Sequence, residues 1–124
     1  MLNRNKILII EDDHDVRRGL NVRLRASNYE TVFASDAVMA LNIARKEAPD
    51  LILLDLGLPG GDGFVVLERM KNIASLACTP VIVVSARDPK TNEKRALDAG
   101  AEAFFQKPVA NDQLLKAIQR ALMK

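Results

Sequence analysis

Short apolar runs recur along the chain at intervals that predict the strands of a sheet. The strongest are residues 6–10, 50–54 and 80–84, each made mainly of β-branched or aliphatic side chains. A strand that is apolar on both faces is typical of the centre of a parallel sheet, where helices cover both sides. The weaker runs 31–34 and 103–106 are predicted to be outer strands.

Between these runs the hydrophobic residues recur with the period of a helix, so five helices are predicted. Their apolar stripes are Val16, Leu20, Leu24 and Ser27 in the first helix, Ala37, Leu41, Ala44 and Ala48 in the second, Phe64, Leu67 and Met70 in the third, and Leu114, Ile118 and Leu122 in the fifth. The fourth helix is predicted from Glu93 to Ala99, with Gly100 ending it. We interpret all of these stripes as core packing.

Strict alternation of strand and helix predicts a parallel sheet, because each right-handed crossover must return to the same sheet. The first, third and fourth strands are the most apolar, which favours the order 2-1-3-4-5 with these three at the centre. The predicted fold is a flavodoxin-like, doubly wound (βα)5 domain of the α/β class, with helices on both faces. Residues 1–124, with 48% hydrophobic composition, are expected to form one domain around one continuous core.

Charge and cysteine content exclude several classes of function. The 18 basic and 16 acidic residues are scattered and give a net charge of +2, so direct binding to nucleic acid or to a membrane surface is not expected. Cys78 is the single cysteine, which excludes an intramolecular disulfide and suggests a small buried thiol. Residues 1–5 lack the longer apolar segment and cleavage site of a signal peptide, and no apolar run approaches the length of a membrane span, so neither is expected. We therefore expect a cytoplasmic protein.

Polar residues that can bind ligands or react follow the strands directly. Glu11, Asp12 and Asp13 follow the first strand, Asp55 the third, Ser85 the fourth and Lys107 the fifth. Each alone has a structural explanation, such as a helix cap or a loop charge. In a doubly wound sheet, however, the carboxyl ends of the strands meet at one edge, where ligands bind. We therefore expect these side chains to converge.

Carboxylates from adjacent strands repel each other, so their cluster is expected to hold a hard cation. Mg²⁺ fits best, because it prefers a few carboxylates together with waters and phosphate oxygens. Zinc is not expected, since His14 is the single histidine. If phosphate oxygens complete the site, Ser85 and Lys107 can hold them and Asp55 becomes a candidate nucleophile that forms an aspartyl phosphate.

Four motifs carry a resemblance to the receiver domains of bacterial two-component response regulators (the CheY-like superfamily), over essentially the whole chain. They are residues 7–13 (ILIIEDD), 55–63 (DLGLPGGDG), 83–86 (VVSA) and 106–108 (QKP). The resemblance implies a signalling switch, not a turnover enzyme, which catalyses its own phosphorylation on an aspartate and its slow dephosphorylation.

The resemblance also assigns roles to individual residues. Asp55 is implied as the phosphoacceptor, with Mg²⁺ bound by Glu11 (through water or directly), Asp12, Asp55 and the backbone carbonyl of Gly57. Pro59 and Gly63 are implied as structural residues of the acceptor loop, and a cis peptide is implied between Lys107 and Pro108. Ser85 and the aromatic Phe104 are implied as switch residues that change the surface of helix 4, strand 5 and helix 5.

Three departures from the family pattern qualify this picture. Phe104 lacks the hydroxyl of the tyrosine that is common at its position, so a switch there acts through packing, and Phe104 can equally be a plain core residue. Gly57 leaves the phosphoryl site open where many relatives carry a side chain, so Ala86 and Arg87 are expected to modulate the site. The positions of a charged dimer network hold Glu93, Ala103 and Ala117, so a monomer or weak dimer is expected.

The expected partners are a sensor histidine kinase or a histidine phosphotransfer protein, and a downstream protein or output domain. Three alternatives are weighed. An aspartyl-phosphate phosphohydrolase would need a second Asp where Gly57 stands. A flavin- or nucleotide-binding module would need a glycine-rich loop instead of the acidic residues 11–13. A receiver-like scaffold that is never phosphorylated would be expected to lack an intact acidic pocket.

Overall fold

The structure, a computed structural model, describes residues 4–123; residues 1–3 and Lys124, which the sequence assigns to the same domain, lie outside it. Within the described range, strands and helices alternate in pairs. They are β1 Lys6–Ile10, α1 His14–Ala26, β2 Glu30–Ala34, α2 Ala37–Glu47, β3 Leu51–Leu54, α3 Gly63–Lys71, β4 Val81–Ser85, α4 Pro89–Asp98, β5 Ala103–Gln106 and α5 Asn111–Leu122.

The five strands form a parallel sheet in the order β2-β1-β3-β4-β5, which confirms the predicted doubly wound fold. The register places Ile10 of β1 beside Leu54 of β3, so the two central strands end side by side. At the next pair of strands, Leu54 lies beside Val83 of β4. The residues that follow β1 and β3, and Ser85 at the end of β4, are thereby brought to the same edge of the sheet.

The apolar interior divides into two clusters, one on each face of the sheet, instead of the one continuous core expected from composition. Successive side chains of a strand point to opposite faces. Leu8 and Ile10 therefore pack with residues of α2, α3 and α4, whereas Ile7 and Ile9 pack with residues of α1 and α5. The sheet itself separates the two clusters, as expected when helices cover both of its faces.

Aspartates define where most helices begin. Asp13, Asp36, Asp62 and Asp88 are the N-caps of α1 to α4, and each carboxylate accepts a hydrogen bond from a backbone N–H of the first turn. Such caps satisfy N–H groups that have no partner inside the helix. For Asp13 this is the structural role considered from the sequence.

Several predictions of helix bounds and burial need correction. Helix α4 begins at Pro89 instead of Glu93, because Asp88 caps it and Pro89 occupies its first turn. Ser27, Ala48 and Ala99 lie just beyond the ends of α1, α2 and α4, at their C-caps. Cys78 is exposed instead of buried, because it lies in the turns between α3 and β4. None of the helices within residues 4–123 is long and apolar enough to cross a membrane.

Candidate functional site

Three carboxylates meet at the carboxyl edge of the sheet. The Glu11 backbone N–H donates to Ala34 and the Asp55 N–H donates to Ile10, which continues the sheet's hydrogen bonding one residue past β1 and β3. These bonds fix the backbone from which the side chains project. One carboxylate oxygen each from Glu11, Asp12 and Asp55 lies within 4.8 Å of the others, so the three could bind a single metal ion.

The cluster is partly buried, and this makes its charge costly. Glu11 is 2% exposed and Asp55 is 7% exposed, whereas Asp12 lies at the surface. Taking an ionised carboxylate out of water is unfavourable unless an opposite charge or hydrogen bonds compensate. The arrangement is typical of a site that binds a hard cation, with Asp12 on the side open to solvent.

Lys107 supplies a compensating positive charge from the end of β5. Its Nζ atom lies 2.5 Å from Glu11 Oε1 and 3.4 Å from Asp55 Oδ2. The Lys107 backbone N–H donates to the Ser85 carbonyl at 2.8 Å, which holds the β5 end against β4. The ammonium group therefore bridges two of the three carboxylates.

Burial is the largest influence on the pKa of the Glu11 carboxyl group and raises it. The hydrogen bond from Lys107 opposes this effect and the nearby charge of Asp55 adds to it, so the pKa reaches about 7 from its ordinary value of 4.5. Burial lowers the pKa of Lys107, but its interactions with Glu11 and Asp55 outweigh burial, and the net direction is upward. A divalent cation among the carboxylates would favour their charged forms.

Ser85 ends β4 beside this cluster and is 1% exposed. Its Oγ atom accepts a hydrogen bond from the Arg87 backbone N–H at 3.2 Å, which fixes the turn that follows the strand. The Ser85 hydroxyl hydrogen is not used in that bond and can be donated to another acceptor. Ala86, between these two residues, is exposed.

Arg87 reaches across the loop that follows Asp55. Its Nη2 atom donates to the Leu56 carbonyl at 3.3 Å, and its Nη1 atom lies 3.6 Å from Asp62 Oδ1. Its guanidinium carbon is 5.8 Å from the centre of the Phe64 ring. Asp62 was not among the residues predicted for the site, although an Asp directly before Gly63 and Phe64 is a recognisable helix start.

Two of the four glycines in the loop 55–63, Gly57 and Gly63, differ in the space around them. Gly57 is exposed, its N–H donates to Asp55 Oδ1 at 3.2 Å, and an added Cβ would be 4.0 Å from that oxygen. Gly63 is buried, and an added Cβ would be 2.4 Å from the Leu56 Cα. Between them, the Pro59 carbonyl accepts a hydrogen bond from the Ala37 N–H at 3.2 Å, which fastens the loop to α2.

The remaining predicted residues lie around this centre. Phe104 is buried among apolar residues and pairs with Val83 in the sheet. The Lys107–Pro108 peptide bond is cis. His14 is exposed at the start of α1. Sequence reasoning also missed Arg17, whose Nη1 atom donates to the Glu11 carbonyl at 3.3 Å; one helical turn separates it from Asp13, but no motif marks it.

Comparison with known proteins identifies the group to which this geometry corresponds. A family model described as the response regulator receiver domain matches residues 7–119. The transcriptional regulatory protein KdpE of Mycobacterium tuberculosis is 35% identical over 118 residues, which are 95% of this chain and 51% of KdpE. The chain thus spans about half the length of this relative.

Solved structures agree with the fold. A response regulator receiver domain protein (CheY-like) from Methanospirillum hungatei JF-1 has a TM-score of 0.90 and 29% identity, and the alignment covers 98% of this chain and 95% of that one. The receiver domain of the sensor histidine kinase PA1611 from Pseudomonas aeruginosa PAO1 has a TM-score of 0.90 at 24% identity, covering 98% and 100%; that structure has a magnesium ion coordinated in its active site cleft. The second similarity supports the fold alone.

Proposed function

Because this chain belongs to the family of response regulator receiver domains, whose known role is that of a phosphorylation switch, we propose that Asp55 is its phosphoacceptor. A single observation carries the proposal. One Asp55 carboxylate oxygen lies within 4.8 Å of oxygens of Glu11 and Asp12, close enough for the three to share a metal ion, and the Lys107 ammonium is 3.4 Å from Asp55. This is the environment that an attacking carboxylate and a transferring phosphoryl group both require.

Mg²⁺ is the cofactor that the donor set fits. Glu11, Asp12 and Asp55 offer carboxylate oxygens, Gly57 is proposed to add its backbone carbonyl, and phosphate oxygens would fill further positions. When bound, the ion supplies positive charge that neutralises both the carboxylates and the phosphoryl oxygens. The partial burial of Glu11 and Asp55 strengthens this electrostatic effect, because the local dielectric is lower than in water.

In the proposed reaction an Asp55 oxygen attacks the phosphorus of a phosphohistidine on the donor. The new P–O bond forms as the P–N bond breaks, and the imidazole keeps the electron pair and takes up a proton. Lys107, released from Asp55, holds an oxygen of the transferred group. Attack by water on phosphorus later breaks the P–O bond, restores the carboxylate and releases inorganic phosphate. The domain thus catalyses its own modification without turning over an external substrate.

Ser85 and Phe104 are the proposed elements of the switch. The free hydrogen of the buried Ser85 hydroxyl can be donated to a phosphoryl oxygen, which would move the turn that carries Arg87. Because β5 pairs directly with β4, a change at Ser85 would reach Phe104 and the face formed by α4, β5 and α5. Phe104 has no hydroxyl and cannot form a hydrogen bond that differs between the phosphorylated and unphosphorylated forms, so the proposed change is one of packing.

Arg87 is proposed to control how long the phosphoryl group survives. Its guanidinium group spans the loop beside Asp55 and is held there by the Leu56 carbonyl and by Asp62. A phosphoryl group on Asp55 would compete with Asp62 for this charge. A guanidinium group over the phosphoryl oxygens would restrict the approach of water, and Ala86, with its small side chain, leaves this position open to Arg87.

The proposed donor is a sensor histidine kinase or a histidine phosphotransfer protein, which would place the protein in the cytoplasm. The proposed target is a downstream protein or an output domain, and any nucleic acid would be contacted by the output domain instead of by this one. Glu93, Ala103 and Ala117 do not supply the charges of a strong dimer on the α4, β5 and α5 face. We therefore propose a monomer or weak dimer.

Intact mass spectrometry tests the function. The protein is incubated with acetyl phosphate and Mg²⁺, and a single phosphoryl adduct is expected. Asp55→Ala should remove the adduct, whereas the control Asp98→Ala, at an exposed residue of α4, should retain it. Continuous phosphate release would instead indicate a phosphohydrolase. Absence of an adduct on the unmodified chain would favour a scaffold or a nucleotide-binding module.

A further inference from the structure

An apolar groove lies between α2 and α3, on the side of the molecule away from α1 and α5. It has a volume of about 540 Å³, and its apolar lining includes Val38, Leu41, Val65 and Ile73. Val38 is 67% exposed and Val65 is 43% exposed, although both are β-branched aliphatic residues. Adjacent exposed aliphatic side chains that line a concave surface are more typical of an interaction site than of a solvated helix face.

Positive charge predominates in the lining of the groove. Its charged residues are Arg45, Asp62 and Arg69. The Asp62 carboxylate is already used, because it caps α3 and pairs with Arg87. Neither Arg45 nor Arg69 has an ion-pair partner among residues 4–123. The groove therefore combines an apolar lining with two guanidinium groups that have no ion-pair partner among the described residues.

We propose that this groove binds an acidic amphipathic helix of a partner protein. A helix with apolar residues at positions i, i+4 and i+7 would lay them between α2 and α3. Asp or Glu beside that stripe would meet Arg45 and Arg69, each of which can bind a carboxylate with two hydrogen bonds. Gly60, Gly61 and Asp62 of the loop after Asp55 line part of the groove, but Asp55 itself does not, and the proposal does not depend on the function proposed above.

A second copy of this chain does not fit as the occupant. Within the described residues, the exposed faces of its own helices carry basic or mixed charge. Helix α1 exposes Arg18 and Arg25, and α5 exposes Lys116 and Arg120. Basic residues on these faces would oppose Arg45 and Arg69, so we assign the complementary acidic helix to a different protein.

Nucleic acid fits less well than an acidic helix. Two guanidinium groups and a net charge of +2 are few for binding a phosphate backbone, whose recognition relies on many basic residues. An apolar lining adds nothing to phosphate binding. Val38 and Val65 would remain exposed in such a complex, whereas the side chains of an amphipathic helix would cover them.

A designed peptide provides the probe. It is a helix-stapled peptide with Leu at positions i, i+4 and i+7 and Glu on both sides of this stripe; a matched control peptide carries Lys in place of every Glu. Each is titrated into ¹⁵N-labelled protein. We expect saturable shift changes for the Glu peptide, confined to residues 37–45 and 60–73, and none for the Lys peptide. A short DNA duplex serves as the competing ligand and should give no saturable shifts there.

Charge-reversed variants complete the test. Arg45→Glu/Arg69→Glu should weaken binding of the Glu peptide by at least ~10-fold and allow the Lys peptide to bind. Arg18→Glu/Lys116→Glu makes the same change in net charge away from the groove and should leave binding unchanged. All variants should remain folded and form the phosphoryl adduct, so this result is separable from the function of Asp55. No saturable shifts, shifts elsewhere, equal binding of both peptides, binding of DNA or concentration-dependent dimerisation through the groove would overturn the proposal.

Discussion

The interiors of β1 and β3 differ sharply from the residues that follow them. Ile7 to Ile10 and Leu51 to Leu54 are buried and apolar, and burial of each such side chain contributes about 1.5–3 kcal/mol to folding. One residue further along, Glu11 and Asp55 are nearly as buried but carry carboxylates. At these positions burial opposes folding unless a counter-charge is present.

This difference shows that a strand changes from stabilising the fold to presenting functional groups between one residue and the next. The strand interiors hold the sheet together, and the strand ends hold charges in an environment that a ligand can complete. Substitutions in the interior should therefore reduce stability and leave the chemistry intact. Substitutions at the ends should remove the chemistry and cost little stability.

Replacement of Asp55 should separate loss of the chemistry from loss of stability most clearly. Asp55→Asn keeps the shape of the side chain but removes its negative charge, so the phosphoryl adduct should be absent by intact mass spectrometry. Because one charge of the repelling cluster is lost while Lys107 keeps its bond to Glu11, urea unfolding should show equal or higher stability. A loss of more than ~2 kcal/mol would mean that Asp55 has a structural role.

A substitution in the strand interior should give the opposite result. Ile52 lies in β3 between Leu8 of β1 and Val81 of β4 and is fully buried. Ile52→Ala should lower the free energy of unfolding by ~2–5 kcal/mol, because it removes apolar contacts and leaves a cavity. The milder Ile52→Val should cost ~0.5–1.5 kcal/mol and still form the adduct at the rate of the original chain. A slowed reaction in folded Ile52→Val would contradict the separation of roles.

Replacement of Lys107 should affect both stability and chemistry, because Lys107 compensates buried charge and is proposed to bind phosphate. Lys107→Ala should slow adduct formation and lower stability by ~1–3 kcal/mol, since Glu11 and Asp55 lose their common partner. Mg²⁺ should then stabilise the variant more than it stabilises the original chain, because the ion replaces the missing charge. Urea unfolding with and without Mg²⁺ measures both effects, and an equal Mg²⁺ effect in the two proteins would be the contrary result.

The contrast between apolar strand interiors and polar strand ends is visible in the sequence, so much of the fold and of the site can be predicted from it. The strand order and the convergence of Glu11, Asp12 and Asp55 follow from apolar runs and from where parallel strands end. The start of α4 was missed because its first turns are polar and Ala96 is its buried residue, so little periodicity marks it. Asp88 followed by Pro89 was the available signal.

Contacts made by long side chains are beyond the reach of such patterns. Arg87 contacts the Leu56 carbonyl and Asp62 across 31 and 25 positions of sequence, and Arg95 of α4 lies 3.8 Å from the ring centre of Phe64 on α3. No period or motif encodes these pairs, because they depend on how neighbouring helices are placed by packing. The sequence suggested that Arg87 modulates the site, but not the residues that hold it.

A smaller effect on the chemistry is expected from Arg87 and Asp62, which lie in the loops that follow β4 and β3. Arg87→Ala should shorten the lifetime of the phosphoryl adduct by on the order of 2- to 10-fold, the range for loss of a hydrogen bond of ordinary strength. Asp62→Asn should lengthen it, because it releases Arg87 from its carboxylate partner while Asn still caps α3. Adduct decay followed by intact mass spectrometry measures both rates. Equal decay in all three proteins would exclude the proposed role of Arg87.

The smallest effect is expected at Gly57, which lies at the open side of the site. An added Cβ would be 4.0 Å from Asp55 Oδ1, an ordinary contact distance, so Gly57→Ala should fit without displacement. Because alanine restricts the unfolded chain more than glycine does, stability should rise by ~0.4–1 kcal/mol, with adduct formation retained. Gly63→Ala is the matched control and should be strongly destabilising, since its Cβ would be 2.4 Å from the Leu56 Cα. Urea unfolding separates the two, and equal losses would show that the whole acceptor loop is packed as tightly as the core.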